Sequence, residues 1–140
     1  MIAIRSIDHL VLRVQDTPRM VQFYTSVLGC TVERTQEKLG LVQLRAGASL
    51  IDLVSIDGEL GRAGGAAPQV EGRNLDHFCL RVEPFDEQSL GEHLEAAGVR
   101  PGPVVSRYGA EGYGPSMYIA DPEGNTIELK GPPSDRPTED

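Results

Sequence analysis

The feature that most constrains the fold of this chain is an internal repeat. The segment IDHLVLRV at residues 7–14 returns 68 residues later as LDHFCLRV at residues 75–82. Each copy is followed by a helical pattern and then by strand patterns, the last of which carries an acid, Asp52 in one half and Glu128 in the other. A repeat of this kind decides the fold class before any other argument. Each half reads β-α-β-β-β, so we predict an α+β fold with two tandem βαβββ modules.

Length limits the domain organisation. At 140 residues the chain has the size of one domain, or of two half-domains that share a core. Segment 58–73 is rich in Gly and Ala and lacks periodicity, so we interpret it as the connection between the halves or as a mobile lid. Segment 107–114 is predicted to be a loop without a counterpart in the first half. The predicted boundaries within a single domain 1–140 are module one at about 5–57, a linker at about 58–73, module two at about 74–131 and a disordered tail at about 132–140.

Charge and composition exclude several classes of partner. The formal net charge is −8, whereas nucleic acids and anionic membrane surfaces require a basic footprint. No apolar run approaches the ~20 residues of a membrane span, and we expect no signal peptide. Cys30 and Cys79 match no zinc or redox spacing. We therefore predict a reduced, cytoplasmic protein that acts on a small molecule and binds neither nucleic acid nor membrane.

The repeat places two histidines and two carboxylates in matched positions. Alternation along a strand puts His9 and His77 on the face opposite the apolar residues that follow them. Asp52 and Glu128 each stand between two apolar residues on a strand, and a buried charge requires a cation or hydrogen-bond donors. If an approximate two-fold axis relates the halves, these four side chains converge. Borderline divalent ions accept such a ligand set, so we predict a metal site with His9, His77 and Glu128, and with Asp52 binding directly, through water or only as an orienting group.

Other candidates follow from the same alternation and from the unpaired loop. A lone Asp-His pair is usually a polar start of a strand, but its repetition together with repeated acids is not explained in that way. Arg13 and Arg81 are interpreted as charges at the rim of the site, and His93 as a solvated helix residue. No base is placed to activate Cys79. The predicted substrate-binding residues are Tyr118, Tyr108, Tyr113, Ser116, Val11 and Cys79.

These residues resemble the vicinal oxygen chelate superfamily, which includes glyoxalase I, methylmalonyl-CoA epimerase, fosfomycin-resistance enzymes, extradiol dioxygenases and bleomycin-resistance proteins. The matching segments are IDHLVLRV at 7–14, FYTSVLG at 23–29, LDHF at 75–78 and MYIADPEGNTIEL at 117–129. The resemblance covers about residues 5–131. It implies an open, eight-stranded, cup-shaped mixed sheet with helices on the outside, commonly in a homodimer.

The resemblance also implies a ligand set and a chemistry. His9, His77 and Glu128 would bind a divalent ion, with Asp52 at the position where glyoxalase I has Glu and the epimerase Gln. The ion would chelate two neighbouring oxygens of the substrate, and Glu128 or Asp52 would move a carbon-bound proton. Val11 departs from the Thr that fosfomycin enzymes have at this position.

The predicted function is therefore a metal-dependent lyase or isomerase of the glyoxalase type. A drug- or metabolite-binding resistance protein without turnover is one alternative, and a ferrous-dependent ring-cleaving dioxygenase is another. Zinc, nickel, manganese, cobalt and iron all remain open as the metal. So does the choice between a site within one chain and a site across a dimer.

Overall fold

The structure is a computed structural model that describes residues 1–134. Two compact units divide the chain, with the boundary between Arg73 and Asn74. The elements of the first unit are β1 His9–Val14, α1 Thr17–Gln22, a π-helical turn Phe23–Val27, β2 Thr31–Gln36, a 3₁₀ turn Glu37–Leu39, β3 Leu41–Ala46, β4 Ser49–Ser55 and a 3₁₀ turn Gly61–Gly64. Those of the second unit are β5 Phe78–Arg81, α2 Glu87–Ala96, β6 Val105–Gly109, β7 Gly112–Ala120 and β8 Thr126–Lys130.

The two units share one sheet topology. The first sheet has the order β1-β4-β3-β2 and the second the order β5-β8-β7-β6. In each sheet the strand that begins the unit pairs in parallel with the last strand, and the other pairings are antiparallel. The predicted α+β class and the β-α-β-β-β order are confirmed. This topology puts β1, which begins at His9, directly beside β4, which carries Asp52. It likewise puts β5, which follows His77, directly beside β8, which carries Glu128.

In the first unit, the helix α1 packs against the sheet and contacts β4. Leu12 and Val14 of β1 are buried, whereas Val11, which lies on the opposite face of the strand, is exposed. Met20 and Tyr24 in the helical region are completely buried. The helix α1 begins where Asp16 accepts a hydrogen bond from the backbone N–H of Arg19 at 3.1 Å. Alternation therefore directs the opposite face of the sheet, with its histidine and acid, away from this core.

The prediction of a loop at 107–114 was wrong, because this segment forms a β-hairpin. Strands β6 and β7 extend to Gly109 and Gly112, which pair with each other and leave a two-residue turn. Tyr108 pairs with Tyr113 across the hairpin, and their rings make an edge-to-face contact with centroids 5.2 Å apart. Glycine permits the tight turn of this hairpin, with Gly112 at a φ of 104°.

Two further segments had been interpreted from composition alone. Residues 58–66 contain the 3₁₀ turn at Gly61–Gly64, and Arg13 donates hydrogen bonds to three backbone carbonyls of this segment. Residues 135–140 of the tail predicted at 132–140 lie outside the described residues. In the described part of that tail, the Ser134 N–H donates to the Tyr113 carbonyl at 2.7 Å. Throughout residues 1–134, the helices are too short or too polar to cross a bilayer.

Candidate metal centre

In the second unit, His77 and Glu128 face each other. His77 precedes β5, and Glu128 lies on β8 opposite Cys79. The Nε2 atom of His77 lies 3.3 Å from Oε1 of Glu128. The other ring nitrogen, Nδ1, donates a hydrogen bond to Asp76 Oδ2 at 2.7 Å, since a carboxylate can only accept. In the neutral ring Nε2 then carries a lone pair that faces a carboxylate oxygen, and this contact calls for a proton or a cation between the two atoms.

A hydrogen-bond chain fixes the second oxygen of Glu128. Ser116 Oγ lies 2.9 Å from Glu128 Oε2, and Arg107 Nη1 lies 2.9 Å from the same Oγ and 3.0 Å from the Ser116 carbonyl. A guanidinium only donates, so the Ser116 hydroxyl accepts from Arg107 and donates to Glu128. Ser116 is completely buried. It was predicted to bind substrate, and in the structure its hydroxyl contacts the carboxylate of Glu128.

Tyr118 lies at the centre of this cluster. It pairs with Glu128 across β7 and β8. Its ring contacts His77 edge to face, with centroids 5.3 Å apart, and the Arg107 guanidinium lies 4.5 Å from the ring centroid. Burial, and then the negative charge of Glu128, raise the pKa of Tyr118. The phenol therefore stays protonated and can donate a hydrogen bond.

The first unit contains the matching pair, with a different environment for the acid. His9 Nδ1 donates to Asp8 Oδ1 at 2.7 Å. This hydrogen bond raises the pKa of His9, and the charge of Asp52 raises it further. Asp52 is buried on β4, where its Oδ2 accepts from Gln43 Nε2 at 3.2 Å. Its Oδ1 is buried and has no hydrogen-bond partner among the described residues. Such an oxygen is costly unless a cation or a donor from a ligand reaches it.

Both histidines are oriented by the aspartate that precedes them in the sequence. Hydrogen bonds of this kind, from a metal-binding imidazole to a carboxylate, fix the ring and leave Nε2 for the ion. The predictions from sequence gave Asp8 and Asp76 no role, although the repeated Asp-His dipeptide was the signal. They also gave none to Gln43 and Arg107, whose roles depend on strand register and carry no local signal.

A cavity of about 350 Å³ lies next to the His77–Glu128 pair within the second unit. Its other lining residues are Cys79, Arg81, Tyr108, Gly109, Ala110, Glu111 and Lys130. Burial, and then the charge of Glu128, raise the pKa of the Cys79 thiol to about 11, so at neutral pH it is not a thiolate nucleophile.

The remaining predicted residues occupy different surroundings. Tyr108 lines the cavity while staying largely exposed, and Tyr113 packs on Tyr108. Val11 is half exposed on β1, opposite Asp52 in the parallel register. Arg81 donates to Glu111 Oε1 at 2.6 Å, which connects β5 to the turn of the hairpin.

The imidazole and carboxylate that each unit brings together are donors that divalent cations accept. Each unit supplies one imidazole and one carboxylate, and within residues 1–134 no three His, Cys, Asp or Glu side chains form a group that could hold an ion. Two donor atoms that share an ion at about 2.1 Å each lie about 3.0–3.4 Å apart. The 3.3 Å separation of His77 Nε2 and Glu128 Oε1 falls within this range. The buried, unpaired Oδ1 of Asp52 is a further oxygen that lacks a partner.

Comparison with known proteins assigns the family. The model of the Glyoxalase/Bleomycin resistance protein/Dioxygenase superfamily matches residues 6–129. The chain belongs to this superfamily. Its members generally use divalent metals.

Relatives within the glyoxalase superfamily cover most of the chain. The glyoxalase domain-containing protein RDO1 of Mycosarcoma maydis is 34% identical over 91% of this chain and 69% of its own length. The virulence protein STM3117 of Salmonella typhimurium is 35% identical over 88% of this chain and 81% of its own. Its crystal structure aligns with a TM-score of 0.73 over 93% of this chain and 98% of that chain, at 29% identity. A probable lactoylglutathione lyase of Vibrio cholerae is 30% identical over 86% of each chain.

Proposed function

We propose that this protein is a divalent-metal-dependent enzyme that binds two neighbouring oxygens of a small substrate and catalyses isomerisation, proton transfer or lyase chemistry. The observation that carries the proposal is the 3.3 Å contact between His77 Nε2 and Glu128 Oε1, with the opposite ring nitrogen already donating to Asp76. The proposed ligands are His77, Glu128, His9 and Asp52. Similarity to a probable lactoylglutathione lyase supports a reaction of the glyoxalase type.

The metal supplies Lewis-acid polarisation of the substrate oxygens when it is bound. Zinc, nickel, manganese, cobalt and ferrous iron all accept imidazole and carboxylate ligands. Asp76 and Asp8 orient the two imidazole rings, and Ser116 orients Glu128. Tyr118, whose phenol stays protonated, is positioned beside the pair to donate a hydrogen bond to a substrate oxygen.

The two carboxylates are the candidates for moving a carbon-bound proton. Glu128 has one oxygen bound by Ser116 and the other facing His77. Asp52 has one oxygen without a hydrogen bond among the described residues, which leaves that lone pair available to a proton. Solvent deuterium incorporation into substrate or product is measured with metal-saturated Asp52→Asn and Glu128→Gln variants. Loss of exchange in a variant that still binds the metal identifies the base.

Metal content is the direct test. Protein stripped with a chelator and reloaded with zinc, nickel, manganese, cobalt or ferrous iron is analysed by elemental analysis after removal of excess ion. We expect one bound ion in the wild type and a loss in His77→Ala and His9→Ala. His93→Ala is the matched control, because His93 is the third histidine of the chain and lies exposed on α2. Equal metal content in all four proteins contradicts the proposal.

Ligand binding without turnover is the second candidate function. It is favoured by the cavity in the second unit and by Tyr108, an aromatic side chain that lines it while remaining 74% exposed. Tight binding of a small ligand that is unaffected by chelator supports this alternative. Metal-dependent turnover of a hemithioacetal or an α-keto compound excludes it, and oxygen consumption with catechols after anaerobic iron loading supports the ring-cleaving alternative instead.

We also propose that the protein forms a homodimer, which sedimentation velocity tests. Mixing His9→Ala with His77→Ala protein distinguishes the two ways of sharing ligands. If one ion takes ligands from two chains, a mixed dimer regains one intact ligand set and binds metal. If each ion takes its ligands from a single chain, the mixture binds as little metal as either variant alone.

A further inference from the structure

Lys130 is a buried cation without a carboxylate partner. Its side chain is 5% exposed at the end of β8. The ammonium donates one hydrogen bond, to the Gly112 carbonyl at 3.0 Å. No carboxylate oxygen of the described residues forms an ion pair with the Lys130 ammonium at an N···O distance of 4.0 Å or less. An ammonium has three donors, and a buried charge that is not neutralised is costly.

Strand geometry places this charge in the same cavity as Glu128. The two residues are separated by one position on β8, so their side chains emerge on one face, about 6.7 Å apart along the strand. Both line the cavity of about 350 Å³. A small molecule that reaches the His77–Glu128 pair therefore lies within a few bonds of Lys130.

The hairpin is built around the lysine side chain. A Cβ atom at Gly109 would lie 3.0 Å from Lys130 Cε, and one at Gly114 would lie 3.1 Å from Nζ. Glycine at these two positions leaves the room that the buried side chain occupies. The position of the charge is thus fixed by the surrounding backbone, unlike that of a surface lysine.

The other cation that lines the cavity is already neutralised. Arg81 donates to Glu111 at 2.6 Å and to Glu83 at 3.4 Å. In the proposed enzyme the charge of Glu128 is matched by the metal ion. Lys130 then remains as the uncompensated positive charge of the cavity.

We propose that Lys130 binds an anionic oxygen group of the substrate, a carboxylate or a phosphate, beside the oxygens that the metal polarises. This assignment rests on the proposed function for the identity of the ligand as a substrate, but the binding of the anion does not require the metal. It narrows the substrate to a small molecule that carries both vicinal oxygens and a negative group a few bonds away.

The test measures anion binding in metal-free protein. The chain contains only two lysines, Lys38 and Lys130, so labelling lysine with carbon-13 at Cε gives two side-chain signals. Inorganic phosphate and acetate are titrated in separate arms, with chloride at equal ionic strength as the reference. We expect phosphate, acetate or both to shift the Lys130 signal in a saturable way and to leave the exposed Lys38 signal in place.

Variants complete the test. Because Lys130→Met has no Lys130 signal, isothermal titration calorimetry with the same anions compares the variants with the wild type. Lys130→Met is expected to weaken binding of the anion by at least about tenfold, since a charge-assisted hydrogen bond is lost, and Lys38→Met is the matched control that keeps wild-type binding. Circular dichroism checks that Lys130→Met is folded, and the wild-type titration stands even if it is not. The proposal is overturned if neither anion causes a saturable shift, if both lysines shift equally, or if folded Lys130→Met binds like the wild type. Failure of the metal proposal is a separate result, because it appears as equal metal content in the wild type and His77→Ala.

Discussion

The two units share one sheet topology but differ in the hydrogen-bond donors that surround the acid. In both, an Asp-His pair orients the imidazole through a hydrogen bond of 2.7 Å. Glu128 receives a hydrogen bond from Ser116, which is itself bound by Arg107, whereas Asp52 has a single amide donor and one buried oxygen without a partner among the described residues. Duplication therefore preserved the orientation of the histidines, and the surroundings of the carboxylates diverged. This difference predicts unequal roles for the two acids.

The largest effect is expected from replacing the acids one at a time. Glu128→Gln should lower metal affinity by more than about 100-fold, since even removal of a group that only orients a ligand costs about 10–100-fold. Asp52→Asn should weaken metal binding less. It should also stabilise the metal-free protein by about 1 kcal/mol, because it removes a buried charge with an unpaired oxygen.

Competition with a chromophoric chelator measures both affinities, and urea unfolding of metal-free protein measures the stabilities. The comparison fails if Asp52→Asn destabilises the metal-free protein, or if the two variants lose metal affinity equally. Either outcome would mean that the two acids contribute alike despite their different partners.

The second prediction compares Val11 of β1 with Cys79 of β5, which occupy equivalent positions of the repeat. Cys79 lies opposite Glu128, as Val11 lies opposite Asp52. Burial, and then the charge of Glu128, raise the pKa of Cys79 to about 11 from its ordinary value of 9.0, so its thiolate is about 100-fold scarcer near neutral pH. Alkylation by iodoacetamide at pH 8 should be correspondingly slow, and its rate should increase with pH until about 11.

The control for this measurement is Val11→Cys on a Cys79→Ser background, which places a thiol on the half-exposed surface of β1. It should react faster than Cys79 at pH 8, and Glu128→Gln should accelerate Cys79 by removing a negative charge. Fast reaction of Cys79 in the wild type at pH 8 would show that the thiol is not held neutral.

The order of elements could be predicted from the sequence, because the same pattern occurs in both halves. Asp52 and Glu128 could be recognised because each lies between two apolar residues. The ends of the strands were less predictable. Segment 107–114 was predicted as a loop, since local composition does not reveal that Tyr108 and Tyr113 pair across a hairpin.

The partners of each acid depend on register between strands far apart in sequence, which no local pattern encodes. Gln43 faces Asp52, and Ser116 reaches Glu128, only because β3 and β7 pair in the observed alignment. Lys130 was not among the predicted residues, although alternation along β8 puts it on the face of Glu128. Its burial could not be foreseen, because it depends on the hairpin that was predicted as a loop.

The third prediction compares the hydroxyl donor of Glu128, Ser116, with the amide donor of Asp52, Gln43. Ser116→Ala leaves a buried carboxylate oxygen and the Arg107 donor without their partner, which should destabilise the protein by about 1–3 kcal/mol. It should also weaken metal binding by about tenfold, because the carboxylate loses its orientation. Gln43→Ala is the matched change in the first unit and should have the smaller effect on both quantities. Equal losses in the two variants would remove the distinction between the acids.

The smallest effect is expected from the arginines at equivalent positions of the repeat. Arg13 donates to the carbonyls of Gly61, Gly65 and Ala66, whereas Arg81 forms an exposed ion pair with Glu111. Exposed ion pairs contribute little to stability, so Arg81→Met should hardly change the unfolding midpoint. Arg13→Met deprives three backbone carbonyls of their donor and should expose segment 61–66 to proteolysis under native conditions. Limited digestion with mass spectrometry measures the cleavage rates. Faster cleavage within 61–66 in Arg13→Met, without faster cleavage of the hairpin in Arg81→Met, is expected because only the first arginine orders a segment that has no strand pairing of its own.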